Sequence, residues 1–344
     1  MKKATCLIIS IVLIVLLASC GQVGDFTFSG AYWNENPQNT SVSGIKEEVL
    51  TYQVSSSSTA VFSSSEVSSE GLSLVVDEKN SSYETKLTVD GEFYVYETTL
   101  KIKGKYVYGG GEYQIENDHT YTKTVFKGLD ERLFPISSEK KAENVFVAKE
   151  NPSSAADFGK VSYEMQISYG ETADVKITPG EGSERLFKKT EFSLKDYKKK
   201  TFLDDGEMIF AFRAVKFAEE TEVFEFNTAD GFTGEIKGIS VEAMKTQTSV
   251  DSDAQVVIPI RVKQYWDNGK LLDIKDFSCY GVSFNTTGNY GKAFKYVYYA
   301  VNPTNSNGEE INTTNHVPVM IVQPETYNTG YLCFTLEKFS ATYK

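Results

Sequence analysis

The stretch SYETKLTVDGEFYVYETTLKIKGKY, residues 82–106, constrains the fold more than any other part of the chain. Two runs rich in β-branched and aromatic residues flank Asp90-Gly91. A two-residue hairpin turn needs positive φ, which Gly adopts without steric cost, so the pattern predicts two tightly joined antiparallel strands. The same signals recur. β-rich runs stand at 119–127, 132–139, 160–169 and 171–178, with Tyr169-Gly170-Glu171-Thr172 as a turn between the last two. After residue 220 come EVFEFN, QVVIPIRVKQYW, DIKDFSCYGVSFN, KAFKYVYYAVN, VPVMIVQ and GYLCFTLEKFSATY, and Asn268-Gly269 again separates two runs. Val161, Tyr163, Met165, Ile167 and Tyr169 share one parity. Strands with one apolar and one polar face belong to an antiparallel sheet with a wet side, so the expected class is mainly β.

Composition agrees. The chain of 344 residues suffices for two average domains or one large β domain, and its 21 Tyr and 22 Phe suit pleated, half-buried surfaces. There is no exact repeat of the kind that marks a solenoid or propeller.

One segment breaks the alternation. LDDGEMIFAFRAVKFAEE at 203–220 carries Asp204 and, three residues on, Glu207. That is the spacing of an N-cap and a carboxylate that reaches back to it. Met208, Phe212 and Val215 fall on one helical face, and Ile209 and Phe210 make the segment apolar almost all round. Such a helix has to be covered, so the pattern predicts one short buried helix near 205–216, against the concave side of the sheet. Another strand is the alternative, because short apolar runs fit both periods. SLKDYKKK at 193–200 reads as a short exposed turn or helix.

Residues 1–19, MKKATCLIISIVLIVLLAS, have a basic start, an apolar run from Ala4 to Ala18 and a small-residue end. This is the layout of a secretory signal, and the run of about 15 residues falls short of the roughly 20 that span hydrocarbon as a helix. Leu17-Ala18-Ser19-Cys20 resembles the lipobox of bacterial lipoproteins. The resemblance implies cleavage between Ser19 and Cys20, diacylglycerol on the Cys20 thiol, and an extracytoplasmic protein held to the membrane by acyl chains. Two or three such chains make a stable anchor. Gly21, where Asp would favour inner-membrane retention, implies outer-membrane sorting if the host has two membranes. Residues 20–44 are polar and rich in Gly, Asn and Ser, so they read as a flexible tether. The β domain is then 45–344, with N- and C-terminal halves that would meet near 190–205.

Loss of Lys2 and Lys3 with the signal leaves 33 basic against 47 acidic residues, a net charge of −14. That sign repels phosphate backbones and anionic headgroups, which excludes nucleic acid as a partner and broad electrostatic docking on lipid. With Cys6 removed and Cys20 acylated, Cys279 and Cys333 remain in an oxidising compartment. Each lies opposite the apolar parity of its run: Tyr280, Val282 and Phe284 for the first, Leu332, Phe334 and Leu336 for the second. Two readings stay open, a disulfide between neighbouring strands or two free, half-buried thiols.

Read in order, ERLFPISSEKK, DGEMIFAFRAV, HVPVMIV and GYLCFTL resemble a family of exported bacterial β proteins of unknown function, at Pro135, at Asp205 with Arg213, and at Pro318 with Val319. The layout of that family is similar to the open half-barrel lipoprotein carriers of the bacterial envelope. The resemblance implies a curved antiparallel sheet, or open half-barrel, wrapped round one helix. It brings no catalytic residue.

The chemistry-bearing residues are sparse. His119 and His316 have no neighbours at ligand spacing and read as turn or locally bonded residues. Ser137-Ser138-Glu139-Lys140 contains an S-x-x-K string, but in a strand setting and without its companion motifs. Asp204/Asp205 and Asp251/Asp253 lack the carbonyl-rich spacing of a calcium loop and read as a helix cap and a solvated loop. We expect no metal, no cofactor and no enzymatic activity. Two functions compete: binding of a hydrophobic small molecule in the curved sheet, and a structural or interaction role that holds another envelope protein.

Overall fold

The computed structural model describes residues 45–57, 72–129, 132–148, 158–187, 189–195, 197–198, 202–214, 223–230, 235–243, 255–267, 269–286, 293–305, 316–324 and 330–343. Ser19, Cys20, the tether and Asp251/Asp253 lie outside them. The first half of the chain forms β1 (Ile45–Ser57), β2 (Leu72–Val76), β3 (Ser82–Asp90), β4 (Phe93–Tyr108), β5 (Gly111–Leu129), β6 (Arg132–Ala148), β7 (Phe158–Tyr169), β8 (Ala173–Pro179) and β9 (Glu191–Ser193). One α-helical turn, α1 (Met208–Ala211), runs into a 3₁₀ turn at Phe212–Ala214. Then follow β10 (Val223–Asp230), β11 (Glu235–Ala243), β12 (Gln255–Ile258), β13 (Val262–Asp267), β14 (Lys270–Thr286), β15 (Ala293–Asn305), β16 (Pro318–Pro324) and β17 (Tyr331–Tyr343).

The mainly β class holds: the strands make one large antiparallel sheet that does not close into a barrel. From β3 to β9 each strand pairs with the next in a meander. β1 joins the halves, pairing with β3 on one side and β17 on the other. β14 to β17 make a second meander, and β10 and β11 extend it from β14. β13 pairs antiparallel with β14 and, as the exception, parallel with β17.

The turns follow glycine. β3 and β4 meet at Asp90↔Phe93, so the two-residue turn is Gly91-Glu92, with Gly91 at φ 61°. Tyr108↔Gly111 closes round Gly109-Gly110, at φ 57° and 79°, positive at both central positions as a type I′ turn requires. Asp267↔Lys270 closes the β13–β14 hairpin with Gly269 at φ 77°; Asn268 of the expected turn lies outside the described residues.

The expectation of one wet face per strand holds for β8 in the first half and fails for part of the second. β8 alternates buried and exposed from Ala173 to Thr178. In β16, Pro318 to Val322 are all buried, and Cys333 is buried between Leu332 and Phe334. Both faces are buried in β16 and in the first part of β17, while β17 alternates again from Phe339, with Ser340 and Thr342 exposed.

The expected helix, 205–216, starts later, at Met208, and sits inside the sheet; residues 215 and 216 lie outside the described residues. Met208 to Arg213 are all buried. The segment touches β7, where Tyr169 bonds Asp204, and β14, where Phe284 meets the Phe212 ring at 5.0 Å. Eight strand spacings separate β7 from β14 by way of β13, about 38 Å on a flat sheet, whereas the eight residue steps from Asp204 to Phe212 reach at most about 29 Å. The sheet therefore curves round the helix, and one apolar core runs from Ile45 to Ala341 across both halves. SLKDYKKK is only partly exposed: Leu194 is buried, and Tyr197 packs on Tyr169 and Phe202.

Candidate functional site

The densest polar constellation surrounds the start of α1. Asp204 and Glu207 are fully buried. The three-residue spacing brings them together in the turn that leads into the helix: the Asp204 N–H donates to Glu207 Oε1 at 3.1 Å, and the Gly206 N–H donates to Asp204 Oδ1 at 2.8 Å. The sheet supplies the remaining partners. Tyr169 of β7 donates its hydroxyl to Asp204 Oδ2 at 2.5 Å, and Thr124 of β5 donates to Asp204 Oδ1 at 3.2 Å. Lys140 of β6 bridges Asp204, at 3.4 Å, and Asp205.

Electrostatics divide the carboxyls. Burial works against the Asp204 charge, but Lys140, the Tyr169 hydroxyl and the Gly206 N–H outweigh it and hold this carboxyl below its usual range. Burial, with the Asp204 charge beside it, pushes Glu207 well above its usual range. Glu207 Oε2 and the Tyr197 hydroxyl have no hydrogen-bond partner among the described residues. Lys295 of β15 faces the same cluster: burial pulls its ammonium down to about 8, against the Asp205 charge.

The far end of the helical segment is latched as well. Arg213 forms a bidentate pair with Glu48 of β1, at 2.6 and 2.9 Å. Tyr299 of β15 donates its hydroxyl to the Ile209 carbonyl at 2.8 Å. His316 lies 2.9 Å from the Arg213 carbonyl through Nδ1; a carbonyl only accepts, so Nδ1 carries the proton. Between the latches, the Phe210 ring rests 5.9 Å from Tyr94, 5.8 Å from Tyr96 and 5.3 Å from Phe126. The aromatic seat inside the curve is thus filled by the chain itself.

Several sequence readings change here. Asp204 is not the N-cap expected of it: the helix starts at Met208 with Glu207 as its N-cap, and Asp204 closes the turn before it and pairs with β6 through Lys140. Lys140 lies in a strand, so the S-x-x-K string has no shared helical face. His316 is not locally bonded; its partner lies 103 positions away. Asp118 and His119 are not turn residues but lie within β5. Asp118 Oδ2 accepts the Phe146 N–H at 2.8 Å beside a register shift in β6, and burial raises its carboxyl to about 6. Cys279 and Cys333 are both free and buried, and β15 and β16 separate their strands, so the disulfide reading fails and the thiols are more enclosed than half-buried. Pro135 sits in β6 opposite Phe126, and Pro318 with Val319 opens β16. Nothing near Glu48 marked it: IKEEVL reads as an alternating strand with two equivalent acids.

A separate open cleft of 660 Å³ lies away from the helix, lined by Val75, Val76 and Ile115 with Asp77, Lys103, Lys105 and Glu116. Among the described residues no group of three or more His, Cys, Asp or Glu is placed to hold a metal ion, and no helix is long and apolar enough to cross a membrane. No protein-family model matches the chain, and no curated protein matches it.

Proposed function

We propose that this protein is a lipoprotein of the cell envelope, anchored outside the cytoplasm through acylated Cys20, whose β domain holds a protein partner. The seat of Phe210 carries the choice between the two competing functions. A hydrophobic ligand in the curve of the sheet would need the faces of Tyr94, Tyr96 and Phe126, and Phe210 covers them. The open cleft is instead lined by apolar side chains among charges of both signs, a lining suited to an extended polypeptide rather than an acyl chain. Val75, 45% exposed, stands at its edge.

A photo-crosslinking amino acid at position 75, in the full chain in its native host, tests this reading. The expected result is one defined protein adduct, lost on Lys103→Glu with Lys105→Glu and missing when the probe is at exposed Glu164. Lack of an adduct together with a co-purified lipid in native mass spectrometry overturns it. One observation favours that second outcome. The helix carries a buried carboxyl with an unpartnered oxygen, which lowers the cost of displacing it and vacating the seat for a hydrophobic molecule.

A further inference from the structure

We infer that one end of the sheet, the end from which the chain leaves toward Cys20, rests on the bilayer through Phe93, Trp266 and Leu271. The inference builds on the lipid-anchor reading above. Large apolar side chains exposed to water are few among the described residues, and three of them gather at this end: Phe93 at 40%, Trp266 at 43% and Leu271 at 51%.

Strand register places them together. Ile45, the first residue of β1, stands opposite Tyr343, and Glu47 stands between Thr88 of β3 and Thr342 of β17. β3 then runs two residues further to the turn that presents Phe93. On the other side of β17, Asp267 stands opposite Ala341 and Trp266 opposite Ser340. Trp266 and Leu271 face each other across the β13–β14 hairpin. The hairpin is held rigidly: Tyr343 donates its hydroxyl to Asp267 Oδ1 at 2.5 Å, and Tyr265 stacks on Phe339 at 4.1 Å. Tyr265 fills the core, so its neighbour Trp266 points outward.

The chain outside the structure supplies the occupant. Residues 20–44 number 25, and a polar coil of that length has a root-mean-square span of about 25–30 Å, comparable with the radius of the domain itself. An acylated Cys20 would hold this end beside lipid at an effective concentration of about millimolar, so a weak contact suffices. Trp is suited to the headgroup level, where its ring meets apolar chains and its N–H meets water. Charge at this end is close to balanced: Asp267 is bonded by Tyr343, Glu47 is paired with Lys86 at 2.9 Å and Glu92 with Lys127 at 2.5 Å, while Asp90 beside Phe93 stands against exposed Lys46 and Lys270.

The test uses the full acylated chain carrying Trp33→Phe, which leaves Trp266 as the sole tryptophan, reconstituted in phosphatidylcholine vesicles with brominated acyl chains. Expected are flotation with the vesicles and at least twofold quenching of Trp266 emission relative to unbrominated lipid, abolished by Phe93→Glu with Leu271→Glu. Flotation without quenching overturns the contact and leaves the anchor standing. Quenching that survives the double substitution also overturns the assigned surface. Failure to float, matched by Cys20→Ala, overturns the anchor and the contact with it.

Discussion

Arg213 and Glu48, 165 positions apart in sequence, form two parallel hydrogen bonds with each side chain only 1% exposed. The pair ties the end of the helical segment to the strand that joins the two halves of the sheet. Arg213 also lies 5.6 Å from the Phe210 ring, so latch and seat are one assembly.

Breaking that pair leaves a buried charge without its counterpart. Glu48→Leu or Arg213→Met alone should cost about 3–5 kcal/mol, while the double substitution, which removes both desolvation penalties, should recover most of the loss. Equilibrium denaturation of the four proteins in a double-mutant cycle reads this directly. Additive losses would show that the two side chains do not stabilise each other.

Glu207 predicts a pH dependence of known sign. Burial, then the Asp204 charge, raise its folded pKa above the ordinary 4.5. The folded state holds that proton more tightly, so this contribution is complete below about 4.5 and is lost as pH rises toward the folded value. Glu207→Gln keeps an oxygen for the Asp204 N–H and no longer ionises. Its melting temperature should match the wild type at pH 4 and exceed it increasingly from pH 6 to 9.

Gly206 is required by contact. A Cβ there would lie 2.3 Å from Thr124 Oγ1 and 2.7 Å from Thr122 Cγ2, both in β5. Gly206→Ala should therefore destabilise by about 1–3 kcal/mol through overpacking. Gly159→Ala, with nothing within 4 Å, serves as the near-neutral control in the same unfolding measurement.

Phe210→Ala should empty the aromatic seat. The expected cost is about 3–5 kcal/mol. The cavity, lined by Tyr94, Tyr96 and Phe126, should then admit small aromatic probes that the wild type excludes, detectable as a ligand-dependent rise in melting temperature. Equal probe binding by the wild type would favour the hydrophobic-ligand function instead.

The β class, the glycine turns, the wet-sided first meander and the Asp204–Glu207 contact were legible in the chain because they depend on local chemistry. Period-two alternation writes one buried face into β7 and β8, and a three-residue spacing lets the Glu207 carboxylate reach back to the Asp204 N–H, although the helix itself starts only after Glu207. Gly109-Gly110, a turn signal as clear as Asp90-Gly91, was open to the same reasoning.

What only the tertiary structure decided concerns partners across long separations. Glu48 and Glu47 look alike in IKEEVL, yet one is buried against Arg213 and the other is half-exposed beside Lys86. His316 reads as a locally bonded residue at a strand entry until the sheet brings it to the Arg213 carbonyl. β17 pairs with β1 along one edge and with β13, in parallel, on the other, a pairing that no local period encodes. Local pattern determined which residues become strands and turns. The free energy of burying charges and aromatic rings among distant strands decided which of them meet.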